Sequence, residues 1–170
     1  MINDIVKNIA RFLIFIVIQV AILKHLDLGR FINPFLYVLF ILMLPIRSNQ
    51  ALVMVLAFLA GLTIDMFYNT MGYNAAACVF MAYCRPRVLR TFAPKGEYDT
   101  SAKPTIQSLG LPWVLSYAGT MVFLHHLVLF FLEAFTLSSF FTTLGIVIVS
   151  SISTVGLIIL SQFIMQRRRI

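Results

Sequence analysis

One apolar stretch, Leu56 to Arg90, constrains the fold most, because it contains a single acidic residue, Asp65, and ends in three arginines. An uncompensated charge at membrane depth costs roughly 3 kcal/mol, so Asp65 requires water, a partner or a proton there. Arginines concentrate at the cytoplasmic ends of membrane helices, so the arginine cluster predicts which end of this stretch faces the cytoplasm. The stretch therefore predicts two membrane helices joined near Asp65.

Composition extends this prediction to the whole chain of 170 residues. It is 61% hydrophobic and only 11% charged, with a mean hydropathy of +0.95, which is far outside the range of a soluble domain. The net charge of +7 comes from cations at the ends of apolar segments, which indicates contact with anionic lipid rather than with nucleic acid. Cys78 and Cys84 would lie on different faces of one helix, so we expect neither a disulfide nor a metal site. The predicted class is an all-α, polytopic integral membrane protein.

The intervals between charges predict six transmembrane helices in one bundle, so that 1–170 form a single integral membrane domain. The predicted spans are 9–28, 31–46, 49–67, 74–89, 111–135 and 142–165, with a cytoplasmic loop at about 90–110. The second span has only 16 residues, or about 24 Å of helix, which is short for a bilayer core of about 30 Å. Five helices and one re-entrant segment are the alternative. The boundary between spans five and six stays open, because 134–166 contain no charge.

The distribution of lysine and arginine predicts the orientation of the bundle. If the N-terminus is cytoplasmic, eleven of the 13 cations fall inside and two fall outside, as the positive-inside rule requires. Both termini are then predicted to be cytoplasmic. The inside cations are Lys7, Arg11, Arg47, Arg85, Arg87, Arg90, Lys95, Lys103, Arg167, Arg168 and Arg169, and the outside ones are Lys24 and Arg30.

Asp65 is the first candidate for a functional polar residue. It follows Gly61 by four residues, so both lie on one helical face, and the glycine permits close helix approach. One interpretation is a structural carboxylate bonded to Asn69, Thr70 or the exposed amides of helix four. The others are a grip on a partner helix and a role in transport or proton relay. The candidate partner-docking or structural positions are Gly61, Asp65, Asn69, Gly72 and Asn74.

Two further groups of residues are candidates for chemistry. His125 and His126 are adjacent and so point about 100° apart, which argues against a metal site on one helix. We expect one of them to bond a serine or threonine hydroxyl inside the bundle and the other to pack with aromatic rings. Arg85, Arg87 and Arg90 are expected to face anionic lipid or a partner at the cytoplasmic surface. No catalytic motif or phosphate-binding glycine loop is present in the sequence, so we expect no enzyme activity and no cofactor.

Several short patterns together resemble the MreD family of bacterial rod shape-determining membrane proteins. They are Asn33-Pro34 at the start of an apolar span, Leu44-Pro45 at a hairpin turn, Gly61-Leu-Thr-Ile-Asp65 followed by Gly72, and Ala82-Tyr83-Cys-Arg-Pro86. Chain length and the predicted span count also agree. The resemblance covers 31–90, whereas the first, fifth and sixth spans match only in hydropathy.

The resemblance implies a non-enzymatic scaffold of the cell-elongation (rod) complex in the bacterial cytoplasmic membrane. Such a subunit binds MreC, a bitopic membrane protein, and helps to couple MreB filaments to the synthase of cell-wall peptidoglycan. The family fold is thought to be similar to the substrate-binding subunits of energy-coupling-factor transporters. The alternative function is therefore capture of a vitamin-like small molecule. A lipid or drug transporter is a third interpretation, but it would need a charge near the midplane, where the sequence has only histidine.

Overall fold

A computed structural model describes residues 2–26, 29, 32–94, 98, 102–135 and 140–167. Its helices are α1 (Ile2–Ala21), α2 (Val38–Leu42), α3 (Gln50–Tyr68), α4 (Tyr73–Thr91), α5 (Ile106–Leu109), α6 (Leu111–Ala134) and α7 (Phe140–Arg167), with a 3₁₀ turn at Leu23–His25. In this part of the chain, α3, α6 and α7 are long and apolar enough to cross a membrane. The protein is therefore all-helical in its described residues and compatible with a membrane location.

Helices α3 and α4 form a tight antiparallel hairpin, and local sequence explains both of its ends. Asn49 begins α3 by accepting hydrogen bonds from the amides of Ala51 and Leu52 at 2.9 and 3.4 Å. Asn69 ends α3 in the left-handed conformation at φ 54°, and Gly72 precedes α4 at φ 86°. Two residues with positive φ therefore reverse the chain within four positions.

The remaining long helices place α4 at the centre of the bundle. It packs against α3 on one side and α6 on the other, and α6 packs against α7. Arg85, late in α4, contacts Tyr117, early in α6, so these two helices run antiparallel. The end of the bundle that carries Arg47, Arg85, Arg90 and Lys103 is called the basic end below. Asn69 and the C-terminus of α6 lie at the opposite end.

The predicted second helical span, 31–46, is wrong as a continuous helix. Only Val38–Leu42 is helical there, and residue 31 lies outside the described residues. We call residues 32–46 the central segment, because its side chains from Phe35 to Leu44 are all buried. Non-helical backbone at membrane depth is stable only inside protein, where neighbouring side chains can bond its polar groups. Here side chains of α1, α4, α6 and α7 supply those bonds.

The other predicted spans fall on helices. Helices α3, α4, α6 and α7 cover the ranges predicted as spans three to six, with ends that differ by two residues or fewer. Helix α1 begins and ends earlier than the predicted 9–28, because the chain turns at Leu23–His25 directly after it. The charges Asp4, Lys7 and Arg11 lie within α1. Crossing of a membrane by α1, the central segment and α4 stays a prediction.

Candidate functional site

The buried polar side chains of the bundle form a network around the central segment, and Asp65 lies at one end of it. Its carboxylate accepts hydrogen bonds from the amides of Asn74 and Ala75 at 3.1 and 2.9 Å, from the Asn74 side chain at 3.0 Å and from the Thr70 hydroxyl. Gly72 has no side chain with which to cap α4. Asp65 therefore caps the following helix and places its negative charge at the positive end of the helix dipole. This confirms the structural interpretation, in which Thr70 and the amides of helix four bind the carboxylate.

Asn74 carries the network from Asp65 into the core. An ionised carboxylate only accepts hydrogen bonds, so the Asn74 NH₂ group faces Asp65 and the Asn74 Oδ1 atom faces Tyr37. The Tyr37 hydroxyl donates to this oxygen at 3.1 Å, and its own oxygen then accepts from the His125 Nε2 atom at 2.9 Å. The Cys78 Sγ atom lies 3.4 Å from the same hydroxyl. The hydrogen bonds that Asp65 accepts thus set the proton positions as far as the His125 ring.

His125 ends this chain of hydrogen bonds with an unused acceptor. Because Nε2 carries the proton, Nδ1 is left with a lone pair, and this buried atom has no hydrogen-bond partner among the described residues. The ring is fully buried and packs at 5.8 and 6.2 Å, between ring centres, from Tyr37 and Phe35. The Gln19 Oε1 and Ser151 Oγ atoms are also buried without a partner in the described part of the chain.

A second branch holds the non-helical start of the central segment against α7. The Thr154 hydroxyl accepts a hydrogen bond from the amide of Phe35 at 3.0 Å and donates to the Nε2 atom of His126 at 3.3 Å. The His126 Nδ1 atom donates to the carbonyl of Val122 at 2.8 Å, which fixes the proton on that nitrogen. The hydroxyl of Ser150 accepts from the amide of Asn33 at 3.0 Å. The prediction that one histidine bonds a hydroxyl while the other packs with aromatic rings is confirmed.

Gln19 on α1 binds the same stretch from the other side. Its Nε2 atom donates to the carbonyl of Pro34 at 3.1 Å and to the hydroxyl of Tyr68 at 2.9 Å. Lys24 reaches the carbonyl of Phe67, near the end of α3, at 2.7 Å. These bonds tie α1 to the end of the bundle opposite the basic end.

Arg85 closes the network at the basic end. It is only 2% exposed, and its Nε and Nη2 atoms donate to the Tyr117 hydroxyl at 2.9 Å and to the Leu44 carbonyl at 2.6 Å. Longer contacts of 3.4 and 3.5 Å reach the carbonyl of Pro45, and Tyr117 donates to the carbonyl of Leu42 at 3.4 Å. The guanidinium therefore bonds carbonyls of the turn that follows α2. The prediction that Arg85 faces lipid or a partner is wrong, because this turn and Tyr117 enclose its side chain and bond its donors.

Gly61 also makes a contact inside the chain, between α3 and α4. A Cβ atom there would lie 2.5–2.6 Å from backbone atoms of Asn74 and Ala75, so helix α4 crosses α3 at the glycine. Three of the candidate positions are buried within the chain: Gly61, Asp65 and Asn74. Their burial fits a structural role rather than docking of a partner helix. Asn69 is exposed and Gly72 is half-buried, so docking of a partner at these two positions stays a prediction. Arg87 and Arg90 are both exposed, as predicted for residues that meet lipid or a partner.

Sequence reasoning missed the role of several residues in this network. Four residues form side-chain hydrogen bonds that join the central segment to neighbouring helices: Gln19, Tyr37, Tyr117 and Thr154. Each has a polar group inside an apolar span, which is a usable signal, but only tertiary contacts identify its partner. In the described part of the chain, no three His, Cys, Asp or Glu side chains gather as metal ligands would.

Comparison of the chain with models of known protein families, with curated proteins and with solved structures gives no match. The family resemblance therefore rests on the sequence patterns alone and stays a prediction.

Proposed function

We propose that the protein is a non-enzymatic membrane scaffold of the MreD type, which binds an MreC-like bitopic protein within the bacterial cytoplasmic membrane. Through that partner it would help to couple MreB filaments to peptidoglycan synthesis and cell shape. The observation that carries the proposal is the use of the buried polar groups: Asp65, Asn74 and Arg85 bind the protein's own backbone and side chains. Such bonds stabilise a rigid shape, and they occupy these three polar groups within the protein itself.

The exposed helix faces support the same proposal. Helix α3 presents an apolar face in which Leu52, Val55, Leu59 and Met66 are 49–75% exposed. Helices in lipid associate through close packing and a few hydrogen bonds, so a partner helix could pack on such a face without a polar site. The proposal also includes six membrane crossings and cytoplasmic termini. The central segment would be the one crossing that is not a continuous helix.

The test combines depletion of the protein in its native bacterium with photo-crosslinking of a tagged copy. Rounded cells after depletion, together with recovery of an MreC-like protein, would support the scaffold. A photoreactive residue at Val55, which is 54% exposed, should capture the partner if α3 provides the interface. The matched control is Ala57, which is fully buried on the same helix and should capture only this chain. Normal cell shape, or no MreC-like protein in the pull-down, would contradict the proposal.

Capture of a vitamin-like small molecule is the second candidate. The unpartnered His125 Nδ1 and Gln19 Oε1 atoms favour it, because a ligand could supply the missing donors. The two side chains belong to one neighbourhood, in which Phe35 lies 6.2 Å from both His125 and Tyr68, between ring centres. Recovery of a small molecule and an ATPase module, in place of an MreC-like protein, would favour this function.

A further inference from the structure

A pocket of about 280 Å³ opens at the basic end, between the end of the central segment and the last turn of α4. We call it the basic-end pocket. Its lining combines apolar and cationic side chains: Ile46, Arg47, Pro86, Leu89, Arg90, Ala93 and Tyr98. An apolar wall with two arginines fits an amphiphile that has a negatively charged head.

The two arginines give the pocket its charge. Both arginines are exposed. Among the described residues, Arg47 donates one hydrogen bond, from Nη2 to the Tyr98 carbonyl, and its length is 3.4 Å. A guanidinium has five N–H donors in a planar fork that matches phosphate oxygens, so Arg47 retains donors for a ligand. Burial raises the pKa of Tyr98, so its phenol is neutral at ordinary pH and adds no negative charge to the pocket.

The C-terminal end of α4 would normally repel an anion, because its last carbonyls are the negative end of the helix dipole. Two of those carbonyls are already bonded here. The Tyr98 hydroxyl donates to the carbonyl of Leu89 at 2.7 Å, and the Trp113 Nε1 atom donates to the carbonyl of Phe92 at 2.8 Å. These bonds use lone pairs of the terminal carbonyls and so weaken the repulsion of an anion.

The position of the pocket points to a membrane lipid. It lies where α3 begins and α4 ends, beside Trp113 and Tyr98, whose ring centres are 5.9 Å apart. Tryptophan and tyrosine concentrate at the level of lipid headgroups. Basic pockets between membrane helices on the cytoplasmic side are typical headgroup sites.

We propose that the basic-end pocket binds the phosphate-bearing headgroup of an anionic phospholipid, with Arg47 and Arg90 on the phosphate and the acyl chains directed along the bundle. The other two arginines of α4 do not contribute. Arg85 is buried on carbonyls of the central segment, and the Arg87 guanidinium lies over the Tyr83 ring, 5.2 Å from its centre.

The test is native mass spectrometry of the purified protein in detergent, with phosphatidylglycerol or phosphatidylcholine of the same acyl chains added. Wild type should prefer phosphatidylglycerol. The preference should fall about fivefold for Arg47→Gln or Arg90→Gln and about twentyfold for the double variant. Arg87→Gln is the matched control, because it removes an exposed arginine of the same helix that does not line the pocket; its preference should equal that of wild type.

A second variant tests the pocket without changing its charge. Ala93→Phe should fill the space and lower phosphatidylglycerol binding while both arginines remain. Thermal unfolding of each variant would show that it is folded. An unchanged preference in the double variant and in Ala93→Phe would overturn the proposal, as would an equal loss in Arg87→Gln, which would indicate diffuse charge. Displacement of the lipid by millimolar inorganic phosphate would overturn it in favour of a site for free phosphate.

Discussion

At the scale of single residues, Asp65, Gly61 and Arg85 carry the arrangement of the bundle. Four donors converge on the carboxylate of Asp65, so its charge is compensated by helix α4 rather than by a cation. Gly61 lets α4 approach α3, and Arg85 bonds the turn that follows α2. All three make contacts within the chain, so the role of each can be tested by the effect of a substitution on stability.

Asp65→Asn should destabilise the folded protein by about 1–3 kcal/mol. The new NH₂ group would face N–H or O–H donors whose hydrogen bonds the carboxylate now accepts, and two donors cannot bond each other. The measurement is heat unfolding in detergent, followed by a thiol-reactive dye that labels buried Cys78 on unfolding in a Cys84→Ser background. Glu133→Gln is the control, since it makes the same change at an exposed carboxylate. Equal midpoints for Asp65→Asn and wild type would contradict the capping role.

Gly61→Ala should be destabilising by about 1–3 kcal/mol, because its Cβ atom would meet the backbone of Ala75 at 2.5 Å and force α4 away. Gly145→Ala is the matched control within a helix, where the added Cβ would have no neighbour within 4 Å. There the higher helix propensity of alanine should stabilise by about 0.5–1 kcal/mol. The same dye assay compares the two, and opposite signs are expected.

Arg85→Met should cost about 1–3 kcal/mol for each carbonyl left without a donor in the interior. Arg85→Lys should recover only part of this loss, because an ammonium group cannot reproduce the planar fork that spans Tyr117 and Leu44. Arg87→Met, at an exposed position, should change the free energy of unfolding by less than about 0.5 kcal/mol. A similar effect of the Met substitution at both positions would exclude a special role for Arg85.

At the scale of elements, the central segment is the unusual part of the bundle. Residues 32–36 lack regular helical hydrogen bonds and instead use side chains of neighbouring helices: Ser150, Thr154 and Gln19. Its far end uses Arg85 and Tyr117 in the same way. A segment held by side chains depends on each of them, so loss of one should loosen it locally before the long helices separate.

Thr154→Val should increase amide hydrogen exchange in the central segment, because it removes the acceptor for the Phe35 amide and the donor to His126. We expect a loss of about 1–3 kcal/mol in local protection, with exchange in α3 and α4 unchanged. Ser153→Ala is the neighbouring control, since that hydroxyl bonds only its own helix at the Val149 carbonyl. Mass spectrometry of peptic fragments covering 32–46 provides the measurement, and equal exchange in the two variants would refute the dependence.

At the scale of the whole molecule, the contacts fix which helix ends lie together. Trp113 bonds the carbonyl of Phe92, and Gln162 accepts from the amide of Ile106, so the end of α4, the start of α6 and the end of α7 share the basic end. The turn between α3 and α4 lies at the opposite end. This grouping is the one that the distribution of cations predicts, whereas the side that faces the cytoplasm stays a prediction.

Cysteine labelling of intact cells tests the orientation. In a background without Cys78 and Cys84, Met71→Cys, at a position 89% exposed, should react with a membrane-impermeant maleimide. Lys103→Cys, exposed near the basic end, should react only after the membrane is permeabilised. Reaction of both in intact cells, or the reverse order, would overturn the predicted topology.

Much of this architecture follows from local properties of the sequence. Apolar length and the positions of charges indicated α3, α4, α6 and α7, because helix formation and burial in lipid depend on short segments. The Asp65 cap is among the alternatives that the sequence predicts, since a carboxylate in the last turn of one helix can reach the first amides of the next across a short turn. The sequence also predicts a serine or threonine hydroxyl as the partner of one histidine, but it does not identify the pair, which is Thr154 and His126.

The central segment and the fate of Arg85 were decided by tertiary structure. The uncharged run of 16 residues at 31–46, which contains Asn33-Pro34, favours a helix locally. Side chains of α1, α4, α6 and α7 instead hold its described part as a non-helical start, turns and one short helix. The hydrogen bonds that make this form stable come from residues 15–119 positions away along the chain. Arg85 is likewise predicted from the sequence to be a surface cation, because its burial and its contacts with the Leu44 carbonyl and Tyr117 form only when the helices pack.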